Sequence, residues 1–256
     1  MKHIARKRFG QNFLQDPSVL NRIAQAVRAQ PKDHLVEIGP GQGALTDVLI
    51  GHCEHYSAIE LDRDLIEPLK RQFSPQTGFQ LYAADALQFD YATLSPQPLR
   101  IVGNLPYNIS APLLVYLMNY ADHISDIHVM LQQEMAERIV AQPGTKDYGR
   151  LSVMLQYFCM AEPLFTVPPE AFDPTPKVMS MVIRMTPYRQ KPFVCNSLHT
   201  FDQLLKQAFS QRRKTISNTL KPFFSKQQLL EYGIDPQLRA ENLCVAEYVR
   251  LSNHLS

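Results

Sequence analysis

The stretch "LVEIGPGQGALT", Leu35 to Thr46, decides how the rest of the chain is read. A short apolar run ends on Gly39, Gly41 and Gly43, and a segment of helical period follows. Glycine at such a place lets the backbone turn tightly and lets a ligand come close to it. Gly39-x-Gly41-x-x-Ala44 also satisfies the dinucleotide pattern with its permitted final alanine. The stretch therefore points to a nucleoside-type cofactor at a strand-to-helix turn, without naming it. A plain turn is the structural alternative.

Outward from this turn, short apolar runs alternate with longer segments of helical spacing. Leu35–Ile38, Tyr56–Leu61, Gln80–Ala84, Leu99–Val102 and Ile127–Leu131 read as strands. Pro17–Ala29, Ala44–His52, Arg63–Gln72, Ala111–Tyr120 and Gln132–Val140 read as the helices between them. That alternation predicts an α/β fold, a Rossmann-like parallel sheet covered by helices. Leu151–Phe158 reads as a further helix. Then "PLFTVPP" (Pro163–Pro169) and "VMSMVIRM" (Val178–Met185) follow with only a loop between them, which favours antiparallel pairing. The expected sheet has about seven strands, with a reversed member near one edge.

Tyr188–Asn196 reads as a linker. Beyond it Phe201, Leu204, Leu205, Ala208 and Phe209 form one helical stripe. Ser225 and Gln228 offer a capping box, and Gly233 a stop. The chain thus divides into a cofactor-binding domain, 1–188, and a small all-helical C-terminal domain, 189–256.

Composition narrows the function classes. Hydrophobic residues are 45% and charged residues 20% of 256, ordinary for a globular protein, and no apolar run is long enough to cross a bilayer. The basic N-terminus lacks the apolar run of a signal peptide. Four scattered cysteines without a Cys-x-x-Cys pair argue against a disulfide framework. His52, Cys53 and His55 lack a second ligand pair at zinc spacing, so no metal is expected. A cytoplasmic monomer is expected. Net charge is only +2, but it is unevenly spread. Lys2, Arg6, Lys7 and Arg8 precede the first acid. Lys206, Arg212, Arg213, Lys214, Lys221 and Lys226 fall in a stretch without Asp or Glu. Two such blocks fit a phosphate footprint as well as two solvated faces.

Polar residues recur where strands end. Glu60 follows the second strand at the spacing of an acid on a ribose, and Asp85 follows the third, where a carboxylate can accept from an adenine amine. The fourth ends in "RIVGNLPYNIS" (Arg100–Ser110). An Asx-type turn would accommodate Asn104 to Tyr107. So would chemistry on an exocyclic amine, whose lone pair is delocalised into its ring. Two acceptors on its N–H bonds, an Asn side-chain oxygen and a backbone carbonyl, would turn that lone pair toward an electrophile. Pro106 restricts Leu105 and helps aim its carbonyl. Tyr107 is suited to stacking on an extruded base.

"GNLPYNIS" resembles the Asn-Leu-Pro-Tyr motif of adenine methyltransferases that use S-adenosylmethionine. "RKRFGQNFL", "VEIGPGQGALT", "IELDRDL", "DPTPKV" and "QRRKTI" resemble, in order, segments of the bacterial rRNA adenine N6,N6-dimethyltransferase family, most nearly its KsgA type. The resemblance implies a Rossmann-like methyltransferase that dimethylates two adjacent adenosines in a 3′-terminal hairpin loop of small-subunit (16S) rRNA within an immature 30S particle. It implies S-adenosylmethionine as cofactor, S-adenosylhomocysteine as product, and no metal. Gln11, Asn12 and Leu14 would cover the cofactor, Gly39 and Gly41 would pass close to its amino-acid portion, and Glu60 would bind the ribose. Asp85 would hold its adenine, and Asn104 would touch the cofactor and, with the Leu105 carbonyl, hold the target amine. Tyr107 and Phe172 would close on the target base. The C-terminal domain, with Arg212, Arg213 and Lys214 on the "QRRKTI" helix, would meet RNA. An enzyme acting on large-subunit rRNA, a DNA adenine methyltransferase, a ribosome-assembly factor and an NAD-dependent oxidoreductase are the competing readings.

Overall fold

The computed structural model describes residues 12–255, so Gln11 and the basic cluster Lys2–Arg8 lie outside the described residues. In chain order the elements are β1 (Phe13–Leu14), α1 (Pro17–Val27), β2 (His34–Ile38), α2 (Ala44–Leu49), β3 (His55–Glu60), α3 (Arg63–Phe73), β4 (Phe79–Ala83), β5 (Leu99–Asn104), α4 (Ser110–Leu117), β6 (Ile124–Gln132) and α5 (Gln133–Val140). Then come α6 (Arg150–Phe158), β7 (Cys159–Val167), β8 (Phe172–Asp173), β9 (Ser180–Pro187), α7 (Leu198–Ala208), α8 (Ile216–Thr219), α9 (Lys226–Glu231) and α10 (Val245–Asn253).

Seven strands form one sheet in the order β4-β3-β2-β5-β6-β9-β7. Strands β2 to β6 pair parallel, and β9 runs antiparallel to β6, the reversed member that the sequence predicts near one edge. All five residues of β2 are buried. Leu35 packs with α1, α2 and α3 residues in one core cluster, so Val36 and Ile38 bury the opposite face. The chain lays down β2, β3 and β4 outward and then returns to place β5 beside β2. That reversal opens a crevice at the strand C-termini, where open α/β sheets bind ligands.

A second, two-stranded sheet was not legible in the sequence. β1 pairs antiparallel with β8, setting Phe13 opposite Asp173 and Leu14 opposite Phe172. Runs of two residues carry no periodicity to detect. Asp16 follows at once as the cap of α1: its Oδ1 accepts from the amides of Ser18 at 2.7 Å and Val19 at 3.2 Å.

The chain separates into two compact units, residues up to Ala136 with Met160–Pro187, and Glu137–Cys159 with Tyr188–Ser256. The sequence reading places 137–159 in the first domain. Their packing explains the difference: the Tyr157 and Phe201 rings are 5.0 Å apart, and Arg150 pairs with Asp202 at 2.5 Å. In the helical unit Phe201, Leu204, Leu205 and Ala208 are buried as the stripe requires. Ser225 and Gln228 form the capping box, and Gly233 turns the chain at φ +71°. The segment Gln211–Thr215 is not the helix expected of "QRRKTI". It is a turn, because Thr215 bridges to Arg239 and the amide of Ile216 donates to the Leu238 carbonyl.

Candidate active site

Four strand ends meet around one cavity of about 150 Å³ in the first unit. After β2 the chain turns through Gly39, Gly41 and Gly43 at φ +69°, +59° and +84°, a conformation that side chains resist. A Cβ on Gly41 would stand 3.0 Å from the Phe13 ring, so that glycine also leaves room for the segment crossing over it. The next bare backbone is Gly103, next to last in β5. A Cβ there would fall 2.6 Å from the Ile38 carbonyl oxygen, so only glycine lets these two central strands keep their spacing at the cavity.

The carboxylates divide into two kinds. Glu60, at the end of β3, is 6% exposed and accepts from the Gly41 amide at 3.2 Å and the Asp62 amide at 2.8 Å. Burial raises its pKa, and these backbone donors oppose the rise. Asp85, two residues past β4, accepts from the Leu87 amide at 2.9 Å. Both line the cavity, beside the apolar Ile38, Ile59 and Leu61. Glu37 is different. It is 1% exposed and accepts hydroxyl donors from Thr46 at 2.5 Å and Tyr56 at 2.6 Å; burial pushes its pKa up to about 7. Sequence reasoning missed it, although an acid inside the apolar run Leu35–Ile38 was the available signal.

At the end of β5, Asn104 Nδ2 donates to the Asn12 carbonyl at 2.9 Å. The Leu105 amide donates to the Met130 carbonyl at 3.1 Å, tying the turn to β6. The Pro106 carbonyl accepts from the Ile109 amide at 3.2 Å and the Ser110 hydroxyl at 2.8 Å. Of these two consecutive carbonyls, Leu105's is the one that no hydrogen bond among the described residues engages. Tyr107 Oη stands 3.4 Å from Ser180 Oγ. Asn12, Leu14, Gly39, Gly41, Glu60, Asp85 and the Asn104–Tyr107 turn are therefore gathered around one cavity.

Phe172 is not among the residues lining it. It is 4% exposed and belongs to the core cluster, joined to Leu14 by the β1–β8 ladder. Arg212, in the helical unit, donates to the Lys146 carbonyl and stands 3.6 Å from Glu241, whereas Arg213 and Lys214 are exposed without an ion pair among the described residues. His128, Met130 and Val182 also line the cavity. No local motif marks them, because strand pairing brings them there from β6 and β9.

Acceptors at three strand ends, a glycine turn and apolar walls fit an adenosine-bearing group, which places the protein among α/β enzymes that use an adenosyl cofactor. The chain matches the family described as ribosomal RNA adenine dimethylase over residues 2–256, and it belongs to that family. Its members are S-adenosylmethionine-dependent rRNA adenine dimethyltransferases, and so is this protein. It is 53% identical to ribosomal RNA small subunit methyltransferase A of Janthinobacterium sp. (strain Marseille), covering 100% of each chain. The protein of that name from Chromobacterium violaceum is 52% identical, over 99% of this chain and 97% of its own. Among solved structures, a dimethyladenosine transferase from Plasmodium falciparum superposes with a TM-score of 0.80 at 26% identity, covering 93% of this chain and 95% of its own. The 23S rRNA methyltransferase ErmE gives 0.74 at 25% identity, covering 95% and 99%.

Proposed function

We propose that the protein dimethylates the exocyclic amines of two adjacent adenosines in a 3′-terminal hairpin loop of small-subunit rRNA, within an immature 30S particle and coupled to its assembly. The high identity to relatives named for the small subunit supports that choice of RNA. The observation that carries the chemistry is the pair of acceptors at one strand end, Asn104 and the carbonyl of Leu105, beside a cavity whose Glu60 and Asp85 suit an adenosyl group.

In this reading Gly39 and Gly41 take the amino-acid end of the cofactor, with Asn12 and Leu14 covering it. Glu60 accepts from its ribose hydroxyls and Asp85 from its adenine amine. When bound, S-adenosylmethionine supplies an electrophilic methyl group on a sulfonium. The Asn104 Oδ1 and Leu105 oxygens accept the two N–H bonds of the target amine, which turns its lone pair toward that methyl. The nitrogen becomes acidic as the new N–C bond forms, so its proton leaves without a strong base. Positioning and electrostatics in a confined pocket do the work. Tyr107 stacks on the extruded base, and Phe172, buried against Leu14, would act on that base through the strap rather than by direct contact. Arg213 and Lys214 contact RNA phosphates from the helical unit, with Arg212 holding the turn that presents them.

Incubation of undermodified small subunits with labelled S-adenosylmethionine is expected to place dimethyladenosine at two adjacent positions near the 3′ end. Label on large subunits alone, or none near that end, would overturn the choice of substrate. Asn104→Ala is expected to lower transfer by about 10³-fold, as for loss of one polar group aimed at the reacting centre, while subunit binding persists. Full activity in that variant would remove Asn104 from the chemistry.

A further inference from the structure

The contact between Asn104 and Asn12 joins residues 92 positions apart and has a consequence for catalysis. An Asn side chain carries an oxygen and an NH₂ group at nearly the same place, and turning the amide over exchanges them. A catalytic amide that must accept from an amine is useful in only one of those two orientations. Here the partner settles which. The Asn12 carbonyl can only accept, so the group 2.9 Å from it must be the NH₂. The reversed amide would set two carbonyl oxygens against each other. Asn104 Oδ1 is left pointing elsewhere, and it accepts no hydrogen bond among the described residues.

The Asn12 carbonyl is itself held firmly. The two residues after it form the β1–β8 ladder, and the amides of Gln15 and Asp16 both donate to the Ala171 carbonyl, at 2.8 Å and 3.3 Å. Asp16 then caps α1. From Asn12 to Asp16 the chain is thus a strap fastened at one end to the catalytic turn and at the other to β8 and α1.

We infer that the backbone carbonyl of Asn12 is a positioning group for catalysis: it locks the Asn104 amide with its oxygen toward the target amine. The inference rests on the proposed role of Asn104. It makes the N-terminal strap more than a cover for the cofactor, since a chain with an intact Asn-Leu-Pro-Tyr turn but a displaced strap holds its amide in both orientations. Cofactor affinity and transfer rate then become separable properties of the same segment, one through the side chains of the strap and one through a single backbone oxygen.

Backbone ester substitution tests this. Replacing Phe13 by its α-hydroxy acid converts the Asn12–Phe13 amide to an ester, whose carbonyl is a weaker acceptor. The same change at Leu14 also removes one amide N–H from the strap but leaves the Asn12 carbonyl an amide oxygen. With undermodified small subunits, the ester at Phe13 is expected to lower kcat about five-fold, the scale of one weakened hydrogen bond, with KM for S-adenosylmethionine and Tm close to those of the ester at Leu14. The ester at Leu14 is expected to keep most of kcat. Equal losses of kcat in the two chains, or a change confined to KM, would overturn the inference, for the strap would then act only by covering the cofactor. Asn104→Ala, assayed alongside in the unmodified chain, keeps the two ideas apart. Its full activity would refute the role of Asn104 itself, whereas its inactivity together with an unaffected Phe13 ester would refute only the role of Asn12.

Discussion

At the residue scale the site depends on a few positions where one atom decides the outcome. Gly103→Ala would drive a methyl group into the Ile38 carbonyl oxygen, 2.6 Å from the ideal Cβ, where backbone cannot yield cheaply. The expected cost is about 2 kcal/mol in urea denaturation, with loss of transfer because Asn104 is the next residue. Glu37 governs a pH dependence. Its folded-state pKa of about 7 lies above the ordinary 4.5, so the stability linked to its proton is complete below pH 4.5 and is lost as pH rises toward 7. The expected span is roughly 3 kcal/mol. Glu37→Gln keeps an acceptor for Thr46 and Tyr56 but does not titrate. Relative to the parent chain, its stability should therefore rise between pH 5 and pH 8, and a difference that stays constant with pH would show that Glu37 is not protonated in the folded state.

At the element scale, α1 is fastened to the sheet by charge as well as by apolar packing. Arg100 in β5 donates to the Val27 carbonyl at the end of α1 at 2.5 Å, and pairs with Asp33 at 2.6 Å and Asp126 at 2.9 Å, with only 12% of its side chain exposed. Removing one partner of such a group strands two carboxylates, so Arg100→Met is expected to cost about 3–5 kcal/mol in denaturation, far more than a surface ion pair. Because α1 follows directly on the strap, loosening it should also raise KM for S-adenosylmethionine, measurable in variants mild enough to stay folded. The β1–β8 ladder acts at the same scale. Phe172→Ala is expected to cost about 3 kcal/mol as a core truncation, apart from any effect on RNA.

For the whole molecule, the net charge of +2 conceals an uneven distribution of basic residues. Arg213 and Lys214 are exposed, whereas Arg212 is committed to the Lys146 carbonyl within the helical unit. Changing Arg213 and Lys214 together to Ala is expected to flatten the salt dependence of subunit binding by about one to two in log–log slope. Arg212→Ala should instead lower the stability of the turn. A salt slope unchanged in the double variant would return these residues to a solvated face.

The sheet strands, their alternation with helices, the glycine turn and the Asn-Leu-Pro-Tyr turn were all legible in the sequence, because apolar periodicity and turn chemistry are local properties. So was the resemblance that named the family. Tertiary structure alone decided the rest. Residues 137–159 belong with the helical unit because their buried faces need partners from beyond residue 188. Gln211–Thr215 became a turn because a partner near Arg239 takes its backbone. The Asn12 carbonyl reached Asn104 because two-residue strands, too short to signal themselves, found each other across more than half the chain. The order of side chains along one strand end determined what chemistry was available. Long-range hydrogen bonding, which no local pattern encodes, decided which way the amide would face.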